Sequence, residues 1–133
     1  MNDYPSISVI VPSYNQGQFI EQTILSIIGQ HYPNLELLVL DGGSTDHTVD
    51  ILQKYSKHID YWHSQKDAGQ ADAINKGMEM SSGEIVCWLN SDDMYLPGTL
   101  LDIGERFQGR TKENLLIYGG ALILRQDENG NFI

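Results

Sequence analysis

The chain has 133 residues, 41% of them hydrophobic, with 8 Lys and Arg against 18 Asp and Glu for a net charge of -10. That length suits one domain, or part of a larger one, with a real core. The charge argues against a nucleic-acid partner, because the few basic residues form no cluster for phosphates, and no apolar run is long enough to span a bilayer.

The opening Met1-Asn2-Asp3-Tyr4-Pro5 lacks the basic and then apolar layout of a secretion signal. Ile7 to Val11 reads as a strand ended by Pro12. Phe19, Ile20, Thr23, Ile24, Ile27 and Ile28 follow helical spacing and predict an amphipathic helix over 18–30. Leu35 to Leu40 is a continuous apolar strand. Ser44 or Thr45 then suits the N-cap of a helix showing Val49, Leu52 and Tyr55 on one face. A short strand follows at Ile59 to His63. Ala71, Ile74 and Met78 mark a third helix, with Gly83 closing it. Ile85 to Leu89 reads as another buried strand, and its Cys87 as an inert buried thiol. A single cysteine excludes an internal disulfide and fits a reducing, cytoplasmic setting. Pro97 suits the first turn of a helix through Phe107. Leu115 to Leu124 is strand-like, with Gly119-Gly120 as a bulge or close approach.

Strands that are apolar along their whole length are buried on both faces. Alternating with helices, they predict an α/β fold with three α/β/α layers and a mostly parallel sheet. Ligands of such sheets sit beyond the carboxyl ends of the strands. Three polar clusters fall there: Pro12-Ser13-Tyr14-Asn15, Asp41-Gly42-Gly43-Ser44 and Asn90-Ser91-Asp92-Asp93. All three are expected on one edge of the sheet.

The adjacent Asp92 and Asp93 repel each other, which a divalent cation would relieve. With no histidine or cysteine cluster nearby, oxygen ligands point to Mg²⁺ or Mn²⁺, which bind through one or two carboxylates plus substrate phosphates. The plainer reading is a helix cap or a solvated pair. Asp41-Gly42-Gly43-Ser44 reads either as a turn with an N-cap or as a carboxylate facing a base or ribose, with glycines admitting a flat ligand. Asp67, Gln70 and Asp72 fit a helix start, although Gln70 and Asn75 could equally reach into a site. Lys76 reads as a surface lysine. The four histidines have no ligand spacing, and neither a dinucleotide fingerprint nor a P-loop is present.

The segments VIVPSYNQGQFIEQTILSIIGQ, LELLVLDGGSTDHTVDIL and DAGQADAINKGMEMSSGEIVCWLNSDDMYLPGTL resemble the family 2 glycosyltransferases, nucleotide-diphospho-sugar transferases of the GT-A, Rossmann-like fold. The resemblance covers nearly the whole chain in the same order. It implies a nucleotide pocket lined by Pro12, Ser13 and Tyr14, with Tyr14 near the base. It sets Asp41 in the family's Asp-Asp-x-Ser segment, which contacts the base, although Gly42 here replaces the second acid. Asp67 and Gln70 would lie near the nucleotide and donor sugar. Ser91-Asp92-Asp93 would be the DxD-type motif, with Asp93 on Mg²⁺ or Mn²⁺ and Asp92 on the ribose or a metal-bound water.

The same resemblance implies an inverting transfer from a nucleotide-diphosphate sugar to an acceptor hydroxyl of a saccharide or lipid-linked saccharide, in polysaccharide or glycoconjugate synthesis. A UDP-sugar is favoured, with GDP- or dTDP-sugars as alternatives. The family's general base lies well beyond the DxD-type motif, and Asp127 and Glu128 do not match it. Residues 1–133 are therefore expected to be the donor-binding part, with the base and acceptor site beyond Ile133. An exposed sheet edge would favour a homo-oligomer, and any attachment to the inner face of a membrane would come from other parts. The competing reading is a module that binds nucleotide diphosphate without turnover. A phosphoryl-transfer receiver would want a lysine after a late strand, where this chain has Arg125.

Overall fold

A computed structural model of the chain describes residues 3–110, 112–113, 115–123, 125 and 128–129. Four strands form one sheet in the order β3-β2-β1-β4: β1 Ile7–Ser13, β2 Leu35–Asp41, β3 Tyr61–Ser64 and β4 Ile85–Trp88. Every neighbouring pair is parallel. Three α-helices lie between successive strands, α1 Ile20–Ile28, α2 Thr48–Lys54 and α3 Gln70–Met80, and α4 Thr99–Phe107 follows β4. A parallel sheet needs crossovers, and the helices between strands supply them.

The two faces of the sheet are covered differently. Val9, Val11, Leu37 and Val39 meet Ile20, Ile24 and Ile27 of α1, Ile51 and Leu52 of α2 and Leu100 of α4. On the other face Ile10, Leu38 and Leu40 meet Ala73 of α3. The layers are thus α/β/α, as the alternation of elements predicts. β1 and most of β2 are buried on both faces, which is why they read as unbroken apolar runs.

Several elements differ from the sequence expectation. β4 is not buried throughout: Val86 is exposed and Trp88 is 52% exposed. It pairs with β1 on one side only, because it is the outer strand of the sheet. Residues 115–123 form no strand; Leu116 and Tyr118 are about nine-tenths exposed. Gly119 and Gly120 have open space around them rather than a close approach. Leu124 and Asp127 lie outside the described residues.

Helix α3 buries Ala73 and Gly77, whereas Ala71 and Met78 are exposed. Spacing of the larger apolar residues picked the wrong face. The helix approaches the sheet so closely that only small side chains fit: a Cβ at Gly77 would lie 2.5 Å from Ile10 Cγ2. Gly83 does not close this helix; Ser81 does, and Gly83 instead packs on Ser8. Neither Ser44 nor Thr45 caps α2. Asp46 performs that task, with Oδ1 accepting from Thr48 N and Thr48 Oγ1. Pro97 stands just before α4 rather than in its first turn.

Cys87 is half-buried, and burial pushes its thiol up despite the hydrogen bond from Tyr95. That suits an unreactive thiol. At the amino ends of the strands, Glu36 accepts hydrogen bonds from Ser8 Oγ and from Ser82 N and Oγ. Burial opposes its ionisation, but those bonds outweigh it and hold the carboxyl below its ordinary value.

Two outcomes are expected. Gly77→Ala should destabilise the fold by about 2 kcal/mol through overpacking on Ile10, read by urea denaturation. Glu36 has a depressed folded-state pKa, so its contribution is present above the ordinary value of 4.5 and is lost as pH falls through the lower folded value. Glu36→Gln should therefore lower the melting temperature at neutral pH and narrow the gap from wild type in acid.

Candidate functional site

The carboxyl ends of the strands open into a cleft of about 590 Å³. It is bordered by Pro12 and Ser13 at the end of β1 and by Tyr14 and Gln16 after it, by Gly42 after β2, by Lys66 and Asp67 after β3, by the start of α3 and by Asn90 to Asp92 after β4. Four chain segments thus meet at one edge, as the parallel topology requires.

The floor is fixed by one buried carboxylate. Asp41 is 0% exposed at the tip of β2. Its Oδ2 accepts from Gly43 N at 3.2 Å, Ser44 N at 2.8 Å and Ser64 Oγ at 2.6 Å. Its Oδ1 accepts from Ser44 Oγ at 2.5 Å. Among the described residues no cation pairs with it, so these donors carry the compensation for burying the carboxylate. Asp41 is thus enclosed, and both of its oxygens are engaged by the loops it organises. Gly42 and Gly43 follow it, and Gly43 has φ of +87°, which favours glycine.

Asn15 joins the first loop to the second. Its backbone adopts φ of +50°, which asparagine tolerates better than most residues. Its N–H donates to Ser44 Oγ at 2.8 Å, and its Oδ1 accepts from Thr45 N at 2.9 Å. Asn15 and Gly43 therefore shape the cleft without bordering it. Ser13 borders it, and Ser13 Oγ is the one buried side-chain polar atom without a hydrogen-bond partner among the described residues. Tyr14 stands beside it with its ring 60% exposed, open to stacking.

The acidic loop after β4 is held from behind by α1. Thr23 Oγ1 donates to Asp93 O at 2.7 Å, Ser26 Oγ accepts from Tyr95 N at 3.1 Å, and Gln30 Nε2 donates to Leu96 O at 3.0 Å. Two polar side chains of α1 and one from the turn that ends it thus pin the loop backbone. In front, Gln70 Nε2 donates to Asn90 Oδ1 at 2.5 Å, and Asn90 Nδ2 donates to Asp93 Oδ2 at 3.2 Å. Asp92 borders the cleft, and no hydrogen bond among the described residues engages its carboxylate. Asp93 is exposed beside the cleft, tethered by Asn90.

Asn75 is exposed on α3 and does not border the cleft, because it lies more than a turn beyond Gln70 on a helix running away from it. Lys76 pairs with Asp72 at 2.8 Å, which raises the lysine and lowers the carboxyl through that bond first. Burial, then the charge of Lys76, lowers His63, so its ring is neutral at pH 7.

Gln16, Lys66, Gly69 and Ala73 border the cleft without having been singled out in the sequence, as does Asn90, whose cluster was noted but whose tethering role was not. Lys66 had a readable signal, since it is a cation next to an acid after a strand in an acidic chain. The others are small or neutral and carry no such mark.

Among the described residues no group of three or more His, Cys, Asp or Glu could hold a metal ion by itself. The donor set here is two adjacent carboxylates, one free and one tethered. That set fits Mg²⁺ or Mn²⁺ only if a ligand's oxygens complete the shell, which is how these ions usually bind.

A parallel sheet with a polar, carboxylate-bearing cleft at its strand ends defines an α/β ligand-binding domain. The sequence description Glycosyl transferase family 2 matches residues 8–129, and the chain belongs to that family. It is 42% identical over 94 residues to TuaG of Bacillus subtilis, a putative teichuronic acid biosynthesis glycosyltransferase, covering 68% of this chain and 37% of that protein. Among solved structures it is similar to S. aureus TarS 1-349 in complex with UDP-GlcNAc, with TM-score 0.71 and 29% identity, covering 78% of this chain and 31% of that one. It is also similar to the mannosyltransferase PcManGT of Pyrobaculum calidifontis in complex with GDP-Man and Mn2+, with TM-score 0.66 and 31% identity, covering 72% and 30%. The fold is that of the GT-A glycosyltransferases. The chain spans between 19% and 38% of the length of the curated relatives it matches.

The two acids at strand ends should behave oppositely when truncated. Asp41→Ala leaves several buried donors unpaired and should lower stability by about 3 kcal/mol. Asp92→Ala, in an exposed position without partners, should stay within about 0.5 kcal/mol of wild type. Denaturant titration of both variants checks this.

Proposed function

We propose that residues 1–133 form the donor-binding part of a glycosyltransferase that takes its sugar from a nucleoside diphosphate. The observation that carries this reading is the cleft itself. It spans the sheet from a ring and a glycine floor, Tyr14 and Gly42, to the carboxylate of Asp92, with Asp93 exposed next to it. A nucleotide sugar needs that sequence of surfaces: a flat apolar contact for the base, polar groups for the ribose and a cation site for the diphosphate. Membership of the family and the UDP-GlcNAc, UDP and GDP-Man complexes of its structural neighbours support it.

In this reading Tyr14 stacks on the base, and Ser13 Oγ gains the partner it lacks once a ligand fills the cleft. Asp92 and Asp93 are the residues that would hold Mg²⁺ or Mn²⁺, with oxygens of the ligand completing the shell. When bound, the cation would neutralise charge on the departing nucleoside diphosphate. The Gln70–Asn90–Asp93 relay keeps Asp93 aimed, and Thr23, Ser26 and Gln30 keep the loop from moving as charge develops. Preorganised groups of this kind stabilise a transition state without reorganising during the reaction. The acceptor hydroxyl forms a bond to the anomeric carbon from the face opposite the phosphate oxygen. The glycosidic bond to phosphate breaks with its electron pair, and the configuration inverts. The hydroxyl proton passes to a base, which we assign with the acceptor site to the further length that the relatives have. The name of one relative, a putative teichuronic acid biosynthesis glycosyltransferase, supports a polysaccharide as the product class.

Calorimetric titration of the chain with UDP and GDP, with and without Mn²⁺, tests the donor site. One of the two should bind in a metal-dependent way, and Asp93→Ala should weaken it at least about tenfold by removing a charge-assisted contact. Absence of binding by folded wild-type protein would overturn the reading.

A further inference from the structure

Resting on that donor site, we infer that Asp67 is the residue that reads the nucleobase, accepting a ring N–H of the base through Oδ2, and that Gly42 exists to leave it room. Four carboxylates stand at or near the cleft: Asp41, Asp67 and the pair Asp92 and Asp93. Asp41 is enclosed and saturated by Gly43, Ser44 and Ser64. Asp92 follows β4, on the side of the carboxylate pair. Asp67 follows β3, across β2 and β1 from it. A ligand anchored at Asp92 and lying along the cleft therefore brings its far end, the base, to Asp67.

The carboxylate of Asp67 is half spoken for. Oδ1 accepts from Gly69 N at 2.9 Å, which orients the group at the start of α3. No hydrogen bond among the described residues engages Oδ2. Both oxygens lie over Gly42: a Cβ built there would stand 3.0 Å from Oδ1 and 3.1 Å from Oδ2. Gly42 is outside the left-handed region, so its backbone does not demand glycine. What demands it is the carboxylate above. Any side chain at 42 would displace Asp67, and an acidic one would also repel it.

A carboxylate accepts hydrogen bonds and donates none. The matching base edge must present a ring N–H, as uracil and thymine do at N3 and guanine does at N1. Cytosine N3 and adenine N1 are acceptors and would meet Oδ2 lone pair to lone pair. In each favoured base a carbonyl flanks that N–H, and Lys66, the cation bordering the cleft beside Asp67, supplies donors for it. The ligand class is thus a uridine, thymidine or guanosine diphosphate, not a cytidine or adenosine one.

The test is calorimetric titration of the full chain with UDP, GDP, CDP and ADP at fixed Mn²⁺. Wild type should bind the better of UDP and GDP at least about tenfold more tightly than CDP or ADP, the worth of one charge-assisted hydrogen bond. Asp67→Asn keeps the shape and the bond to Gly69 N, and should lose that preference while binding CDP and ADP as well as wild type does. Asp67→Ala should bind UDP or GDP weakly, and the double variant Asp67→Ala/Gly42→Asp, which sets a carboxylate back in the vacated space, should recover about tenfold over it. Melting curves confirm that each variant is folded. Metal-dependent UDP or GDP binding that Asp67→Asn leaves unchanged, or weakens equally for all four nucleotides, would overturn this inference and leave the donor site standing. Wild type binding none of them would overturn both.

Discussion

The buried carboxylate of Asp41 is the constraint around which the cleft is arranged. A charged group with no exposure and no cation beside it is tolerable only if donors converge on it. The donors come from Gly43 and Ser44 of its own loop and from Ser64 at the end of β3. Ser44 Oγ in turn accepts from Asn15, so the loop after β1 is drawn into the same network. Three strand ends are thereby fixed relative to each other by one side chain. Without it, the backbone that forms the floor of the cleft would have no reason to hold its shape.

The other half of the site is fixed by different means. The loop after β4 contains no buried charge; it is stapled to Thr23 and Ser26 of α1 and to Gln30 just past its end. Gln30 also accepts from Leu100 N through Oε1, so α4 is tied to the same point. Thr23 is fully buried on a helix whose remaining buried side chains are isoleucines. Its hydroxyl is what lets an apolar helix hold a polar loop. The floor and the acidic loop are therefore positioned independently, and α3 connects them through Gln70 to Asn90 on one side and Gly69 to Asp67 on the other.

The layering, the four parallel strands and the convergence of strand ends were legible because a parallel sheet writes apolar runs into the sequence and sends its loops to one edge. The burial of α3 was not, because periodicity weighs large apolar residues, and the contact at Ala73 and Gly77 is made by the near absence of side chains. The strand expected at 115–124 failed for a related reason. Leu115, Leu116, Ile117 and Leu122 have the composition of a strand, but a run of that kind becomes one only with a partner, and the described residues provide none. Asp41 stood out in the sequence with two tasks open to it. A strand-end acid followed by Gly-Gly-Ser can face a ligand or hold its own loop, and the choice depends on Ser64, which lies 23 residues away.

That distinction sorts the acids of the site by what they already bind. An acid whose oxygens are all engaged is part of the frame, whatever its place in the sequence, and Asp41 belongs there. An acid with an idle oxygen facing the cleft retains a capacity that only a ligand can use. Asp92 has no internal partner, Asp93 has one shared with Asn90, and Asp67 has one oxygen committed and one not. Desolvating any of these without a new partner would be unfavourable, so a ligand entering the cleft must bring a cation near Asp92 and Asp93 and a hydrogen-bond donor near Asp67. The unfilled hydrogen-bonding capacity of the cleft thus describes its ligand from both ends, a metal-bound diphosphate at one and a base with a ring N–H at the other.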